Sequence, residues 1–203
     1  MTTHLPKTAV LPLLREIQEM KTVSIIGFGR FGQVLHRLLK DDFSVTLFSQ
    51  NKITKTSDMG ANTRVARDVR EAYESDVIFF AVPIPAFGQV IKAHKRYFRP
   101  EHLLLDVLSV KMHPETVFKK YLKGTKTRAM LTHPMFGPDS SADGFSGLPF
   151  IMDRFTATPA EYAFWEKYFT GKKLRVIEMS AKEHDKLAAN SQGLTHFIGR
   201  LLE

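Results

Sequence analysis

Three short stretches of this chain carry residues whose types and spacing can do chemistry. Gly27-Phe28-Gly29-Arg30-Phe31-Gly32 is a G-x-G-x-x-G that directly follows a β-rich run, Thr22–Ile26, and opens a helical pattern. In that context Gly27 permits a tight turn, Gly29 lets the backbone approach a pyrophosphate, and Gly32 lets helix pack close on strand. The phosphate would then sit on unpaired N–H groups at the helix N-terminus. Asp106-Val107-Leu108-Ser109-Val110-Lys111 places a serine and a lysine just past an apolar run, and Thr132-His133-Pro134 places a histidine at the end of another. An imidazole titrates near neutrality and suits proton transfer. On their own, Ser109 is equally readable as a helix N-cap and His133 as a packed turn residue.

The cofactor is read from the end of the next β-rich run, Ser44–Phe48, where a chain selective for NAD places an acid on the ribose hydroxyls. Here Ser49-Gln50-Asn51-Lys52 stands instead. Ser49 and Asn51 can hydrogen-bond a 2′-phosphate and Lys52 or Lys55 can neutralise one, which favours NADP over NAD. Val82-Pro83 would form a stiff lip after the fourth strand, and Arg30 and Phe31 would lie over the phosphates.

These residues need a scaffold that presents strand ends side by side. Asp76–Val82 and Leu103–Leu108 are apolar on consecutive positions, as strands buried on both faces are. Phe31–Leu39, Pro85–Tyr97 and Pro114–Leu122 read as helices between strands, and Arg128–Leu131 as a further strand. Phe150–Asp153, Ala160–Phe169 and Leu174–Glu178 add a strand, a helix and a strand. The alternation predicts an α/β fold: a doubly wound, mostly parallel sheet of Rossmann type. From Ala181 to Leu202 one long helix is expected. On it Leu194, Phe197, Ile198, Leu201 and Leu202 form an apolar stripe suited to another chain. The expected organisation is an N-terminal arm over residues 1–20, a dinucleotide-binding domain over 21–179, and the start of a helical domain over 180–203.

The 203 residues are 43% hydrophobic and 25% charged, a globular balance. No apolar run approaches the ~20 residues of a membrane span, and the first residues lack a secretory h-region. With no cysteine there is no disulfide and no thiolate metal site or nucleophile. A cytoplasmic location is therefore expected. The net charge of +8 comes from 29 basic and 21 acidic residues dispersed along the chain. No nucleic-acid motif accompanies them, so neither nucleic acid nor membrane is expected as a partner. His4, His36, His94, His102 and His113 show no metal-ligand spacing and read as surface histidines.

The D-x-x-S-V-K block at 106–111 and His133-Pro134-Met135-Phe136-Gly137-Pro138, in that order behind a dinucleotide turn, closely resemble the prephenate/arogenate dehydrogenase family of tyrosine biosynthesis. Glu183-His184-Asp185 and Ser191-Gln192-Gly193-Leu194-Thr195-His196 extend the resemblance to the end of the chain. It implies oxidative decarboxylation with hydride transfer to NAD(P)+, giving 4-hydroxyphenylpyruvate from prephenate or tyrosine from arogenate. By the same resemblance His133 accepts the substrate hydroxyl proton and Ser109 hydrogen-bonds that hydroxyl or His133. Gln192 and His196 approach the substrate's side chain or carboxylates, and Asp185 lies near the mouth of the site. Asp139 could attract arogenate's ammonium. A homodimer built through a C-terminal helical domain is implied too, of which only the first helix is expected in this sequence. Two other readings stay open at this level. One is a nucleotide-binding module without turnover. The other is a Rossmann dehydrogenase acting on a 3-hydroxy acid, with Lys182 or Lys186 as proton-transfer group.

Overall fold

A computed structural model describes residues 22–54 and 59–189. The N-terminal arm, Lys55, Gln192, His196 and the apolar stripe beyond residue 190 lie outside the described residues. Among the described residues eight strands, numbered along the chain, form one sheet in the order β3-β2-β1-β4-β5-β6-β7-β8. The central strands are β1 (Thr22–Ile26), β4 (Val77–Phe80), β5 (Leu103–Asp106) and β6 (Arg128–Pro134), flanked on one side by β2 (Ser44–Phe48) and β3 (Thr63–Val65). On the other side lie β7 (Pro149–Asp153) and β8 (Arg175–Glu178). Neighbours are parallel throughout except β6 and β7. The sheet is doubly wound and mostly parallel, the Rossmann-type arrangement.

Both faces are covered, which is why β4 and β5 read as continuous apolar runs. Val77 and Phe79 of β4 face α1 (Arg30–Leu39) and α5 (Pro159–Gly171) in one buried cluster with Leu35, Leu38, Trp165 and Phe169. Ile78 and Phe80 face the other way, toward α2 (Val69–Ala72), α3 (Ile84–His94) and α4 (Met112–Leu122), packing with Phe87, Ile91 and Phe118. Pro83 precedes α3, and Thr158 opens α5 with a reciprocal capping box to Glu161. Residues 181–189 are helical.

The structure corrects the sequence reading in three places. First, β3 and α2 went unseen. A three-residue, half-exposed edge strand carries no periodic signal, and it is held by β2 and by Arg64 Nε donating to Thr46 Oγ1 at 3.0 Å. Second, β6 does not stop at Leu131. It runs through His133 and Pro134, because antiparallel β7 pairs His133 with Ile151 and Pro134 with Phe150. His133 is therefore a strand residue. Third, His36 and His102 are buried and His94 is half-buried. His102 sits against the Tyr73 carbonyl and the Arg99 guanidinium, while His36 is hydrogen-bonded to Thr63 Oγ1 at 2.9 Å.

Candidate functional site

The strand order reverses between β1 and β4, and ligands of such sheets bind beyond the carboxyl ends of strands at that point. A groove of about 840 Å³ opens there, lined by Gly27, Phe28, Gly29, Arg30, Phe31, Ser49, Asn51, Val82 and Pro83 among others. The three glycines differ in what they face. Gly27 has φ +100, and a Cβ on it would meet the Ala81 carbonyl oxygen at 2.3 Å. A Cβ on Gly32 would meet the Gly27 oxygen at 2.2 Å, whereas Gly29 has nothing within 4 Å. Two glycines thus close the turn, and the third keeps its space open on the groove side. Gly29 caps α1 without a side-chain hydrogen bond, and the first turn holds no acid. The N–H groups there suit a phosphate.

A second hollow of about 640 Å³ adjoins the groove through Phe28, Arg30, Ser49 and Asn51, and adds Lys52, Arg37 and Lys40. It is a basic surface at the end of β2, where the ribose of a dinucleotide would end. Arg37 also reaches the Ser141 carbonyl and, at 2.8 Å, its hydroxyl. Asp139 lies beside the turn with an oxygen 3.4 Å from Arg30, both side chains being exposed.

On the other side, a cleft of about 620 Å³ shares Phe31, Val82, Pro83 and Val107 with the groove and is lined by Ser109, His133, Met135 and Phe136. The serine comes from the turn after β5 and the histidine from the end of β6, adjacent parallel strands. His133 Nδ1 lies 2.7 Å from His184 Nε2, and His184 Nδ1 lies 2.8 Å from Asp185 Oδ1. The partners limit where the protons can lie. A carboxylate only accepts, so His184 carries its proton on Nδ1, and with a neutral ring its Nε2 accepts from His133 Nδ1–H. His133 Nε2 then keeps its lone pair, with no partner among the described residues. That is the form a general base requires.

Burial, then the nearby Lys111 charge and His184, push the His133 imidazole down to about 4, with Asp185 opposing. Burial alone would raise the Asp185 carboxyl, but the amides of Met112 and Lys111 and the His184 ring outweigh it and hold it below the ordinary range. Asp185 therefore serves behind the histidine pair, its oxygens engaged by three donors. His184 has no signal in the sequence beyond the Glu183-His184-Asp185 block, and Lys111 none beyond its place after an apolar run. Their contacts to residues 51 and 21 positions away leave no periodic signal. Among the described residues no cluster of side chains could hold a metal ion, and no helix is long and apolar enough to cross a membrane.

The depressed imidazoles have a thermodynamic consequence. His102, lowered by burial and by Arg99, also titrates at about 4. As pH falls below the ordinary histidine value of 6.5, the unfolded chain takes up protons that folded His102 and His133 refuse, so stability declines toward about pH 4. Urea unfolding at about pH 7 and about pH 5 should give the lower midpoint at pH 5. A His102→Gln/His133→Gln variant should show a smaller difference between the two.

A family model described as "Prephenate dehydrogenase, nucleotide-binding domain" matches residues 36–177. Arogenate dehydrogenase 2, chloroplastic, of Arabidopsis thaliana is 34% identical over 194 residues, covering 89% of this chain and 52% of that protein. Arogenate dehydrogenase 1, chloroplastic, of the same plant is 32% identical over 192 residues, covering 89% of this chain and 29% of its own length. The chain thus spans about half or less of these relatives. The crystal structure of prephenate dehydrogenase from Aquifex aeolicus superimposes with a TM-score of 0.73 at 18% identity, over 90% of this chain and 70% of that one.

Proposed function

Because the chain belongs to the prephenate dehydrogenase family, we propose that its site oxidatively decarboxylates prephenate or arogenate, with NADP+ preferred over NAD+. One observation carries the reading: His133, held at Nδ1 by His184 and through it by Asp185, lines a cleft that opens into the dinucleotide groove.

In this mechanism His133 Nε2 takes the proton of the substrate's ring hydroxyl as hydride leaves the same carbon. Ser109, at the same cleft, hydrogen-bonds that hydroxyl and fixes its pose. The bond to the ring carboxylate breaks, carbon dioxide departs, the electron pair left behind completes the aromatic ring, and the phenolate oxygen takes the proton back from His133. Bound NADP+ would supply the hydride acceptor. Hydride loss turns the carbinol into a protonated carbonyl, a strong acid, so a base of pKa about 4 is strong enough. The glycine turn and the amides opening α1 would hold the pyrophosphate. Ser49, Asn51 and Lys52 would receive the 2′-phosphate, with no acid among the described residues that line the hollow. Gln192 and His196 would approach the substrate's side chain or carboxylates, and Asp139 would attract the ammonium of arogenate. The helix that begins at residue 181 would lead into a homodimer interface.

The test is NADPH formation by the purified chain, offered NADP+ with prephenate and then with arogenate. Turnover with one substrate, and a higher kcat/KM with NADP+ than with NAD+, is the expected result. Dinucleotide binding without turnover on either substrate would leave a nucleotide-binding module and overturn the proposal for this chain.

A further inference from the structure

Lys111 is fully buried, and so is the carboxylate it meets. Its Nζ donates to Asp106 Oδ2 and to the Thr132 carbonyl oxygen. Asp106 also accepts from the amides of Leu108 at 3.1 Å and Thr132 at 3.2 Å. The ammonium therefore joins the end of β5 to the end of β6, one residue before His133. The backbone of Lys111 does something separate. Its amide donates to Asp185 Oδ1 at 2.7 Å, beside the Met112 amide on Oδ2 at 2.8 Å.

We propose that Lys111 is the positioning residue of this site, tying the strand ends that carry Ser109 and His133 while its amide fixes the carboxylate that orients the histidine pair. The inference rests on the reading of His133 as the base and deepens it. Taking an ammonium and a carboxylate out of water is costly, and an apolar pair of similar volume would hold two strand ends at least as well. Packing cannot, however, place a fixed positive charge beside His133.

The charge has a direct consequence there. Burial pushes the His133 imidazole down most, and the Lys111 charge is next. The other ionisable groups around the pair are His184 and Asp185 from the 181–189 helix, Asp106 from β5, and Asp153 from β7. Asp106 is matched by Lys111 itself, and Asp153 accepts from the amides of Phe155 and Ala181. Within the pair, burial raises the Asp106 carboxyl and lowers the Lys111 ammonium, while each charge pulls the other back. The arrangement keeps His133 unprotonated well into mildly acidic solution.

Long-range ¹H–¹⁵N spectra of the labelled chain, without substrate, read this directly. The His133 ring is identified by its loss in His133→Asn. In the wild type it should carry its proton on Nδ1 and titrate well below an ordinary histidine. An Nε2-protonated ring titrating near 6.5 would overturn the proposal without any variant. Lys111→Met leaves Asp106 buried and alone, so Lys111→Met/Asp106→Asn is measured beside it to remove both charges and keep an acceptor. In the folded variant the His133 pKa should rise by about one unit. A folded variant whose His133 tautomer and pKa match the wild type would make Lys111 a packing residue only. Absence of turnover in a wild type with the expected spectrum would instead remove the catalytic reading and leave the positioning intact.

Discussion

His133→Asn is expected to slow turnover by about 100-fold or more while dinucleotide affinity stays nearly unchanged, given what a positioned general base contributes. The separation follows from the geometry. His133 lines the cleft beside Ser109, while the glycine turn and the end of β2 line the groove and its basic extension. Asparagine is close in size and can still hydrogen-bond toward His184, so the strand end should keep its place. What it cannot do is accept a proton at the position of Nε2. The loss should therefore fall on kcat, with KM for the dinucleotide little altered. Steady-state kinetics with a direct titration of the dinucleotide decide it. Wild-type activity in the variant would exclude His133 from the reaction.

Gly27→Ala should damage the fold and the groove together. Gly27 sits at φ +100, where an L side chain is strained, and its Cβ would lie 2.3 Å from the Ala81 oxygen and 2.7 Å from the Ala81 carbon. Those are backbone atoms just past the end of β4, so the clash cannot be relieved by a side-chain rotation. Ala81 donates to the Ile26 carbonyl at 2.8 Å and Gly27 to the Phe48 carbonyl at 2.8 Å, and moving either residue stretches a strand-end hydrogen bond. Strain and overpacking together should cost about 2 kcal/mol or more. In a domain of this size that lowers the melting temperature by about 4–8 °C. Dinucleotide affinity should fall by at least about 10-fold, because the turn that aims the amides of α1 is displaced. Gly29→Ala is the control. With nothing within 4 Å and an ordinary φ of −75, it should lose only the N-cap preference of glycine over alanine, about 1 kcal/mol or less. Its added methyl would still occupy groove space. Equal melting of Gly27→Ala and wild type would show that the turn gives way more easily than its contacts imply.

The glycine turn and the sheet behind it were legible in the sequence because their determinants are local. Gly27, Gly29 and Gly32 act within one turn, and consecutive apolar residues such as Val77–Phe80 report a strand covered on both faces wherever the covering helices come from. The serine at 109 and the histidine at 133 were visible as strand-end residues for the same reason. The parts decided by tertiary structure involve partners far apart in the chain. Antiparallel β7 extended β6 past Leu131 and put His133 on a rigid strand rather than in a loop. His36 and His102, surface residues by composition, are buried because other elements close over them. Likewise His184 reaches His133 across 51 positions, and Lys111, by sequence one lysine just past an apolar run, meets Asp106 and the Thr132 carbonyl in the core. Spacing along a chain encodes which residues share a turn or a face. Which buried charge finds its counter-charge, and which imidazole nitrogen is left bare, depends on where strand ends from separate parts of the chain come to lie side by side.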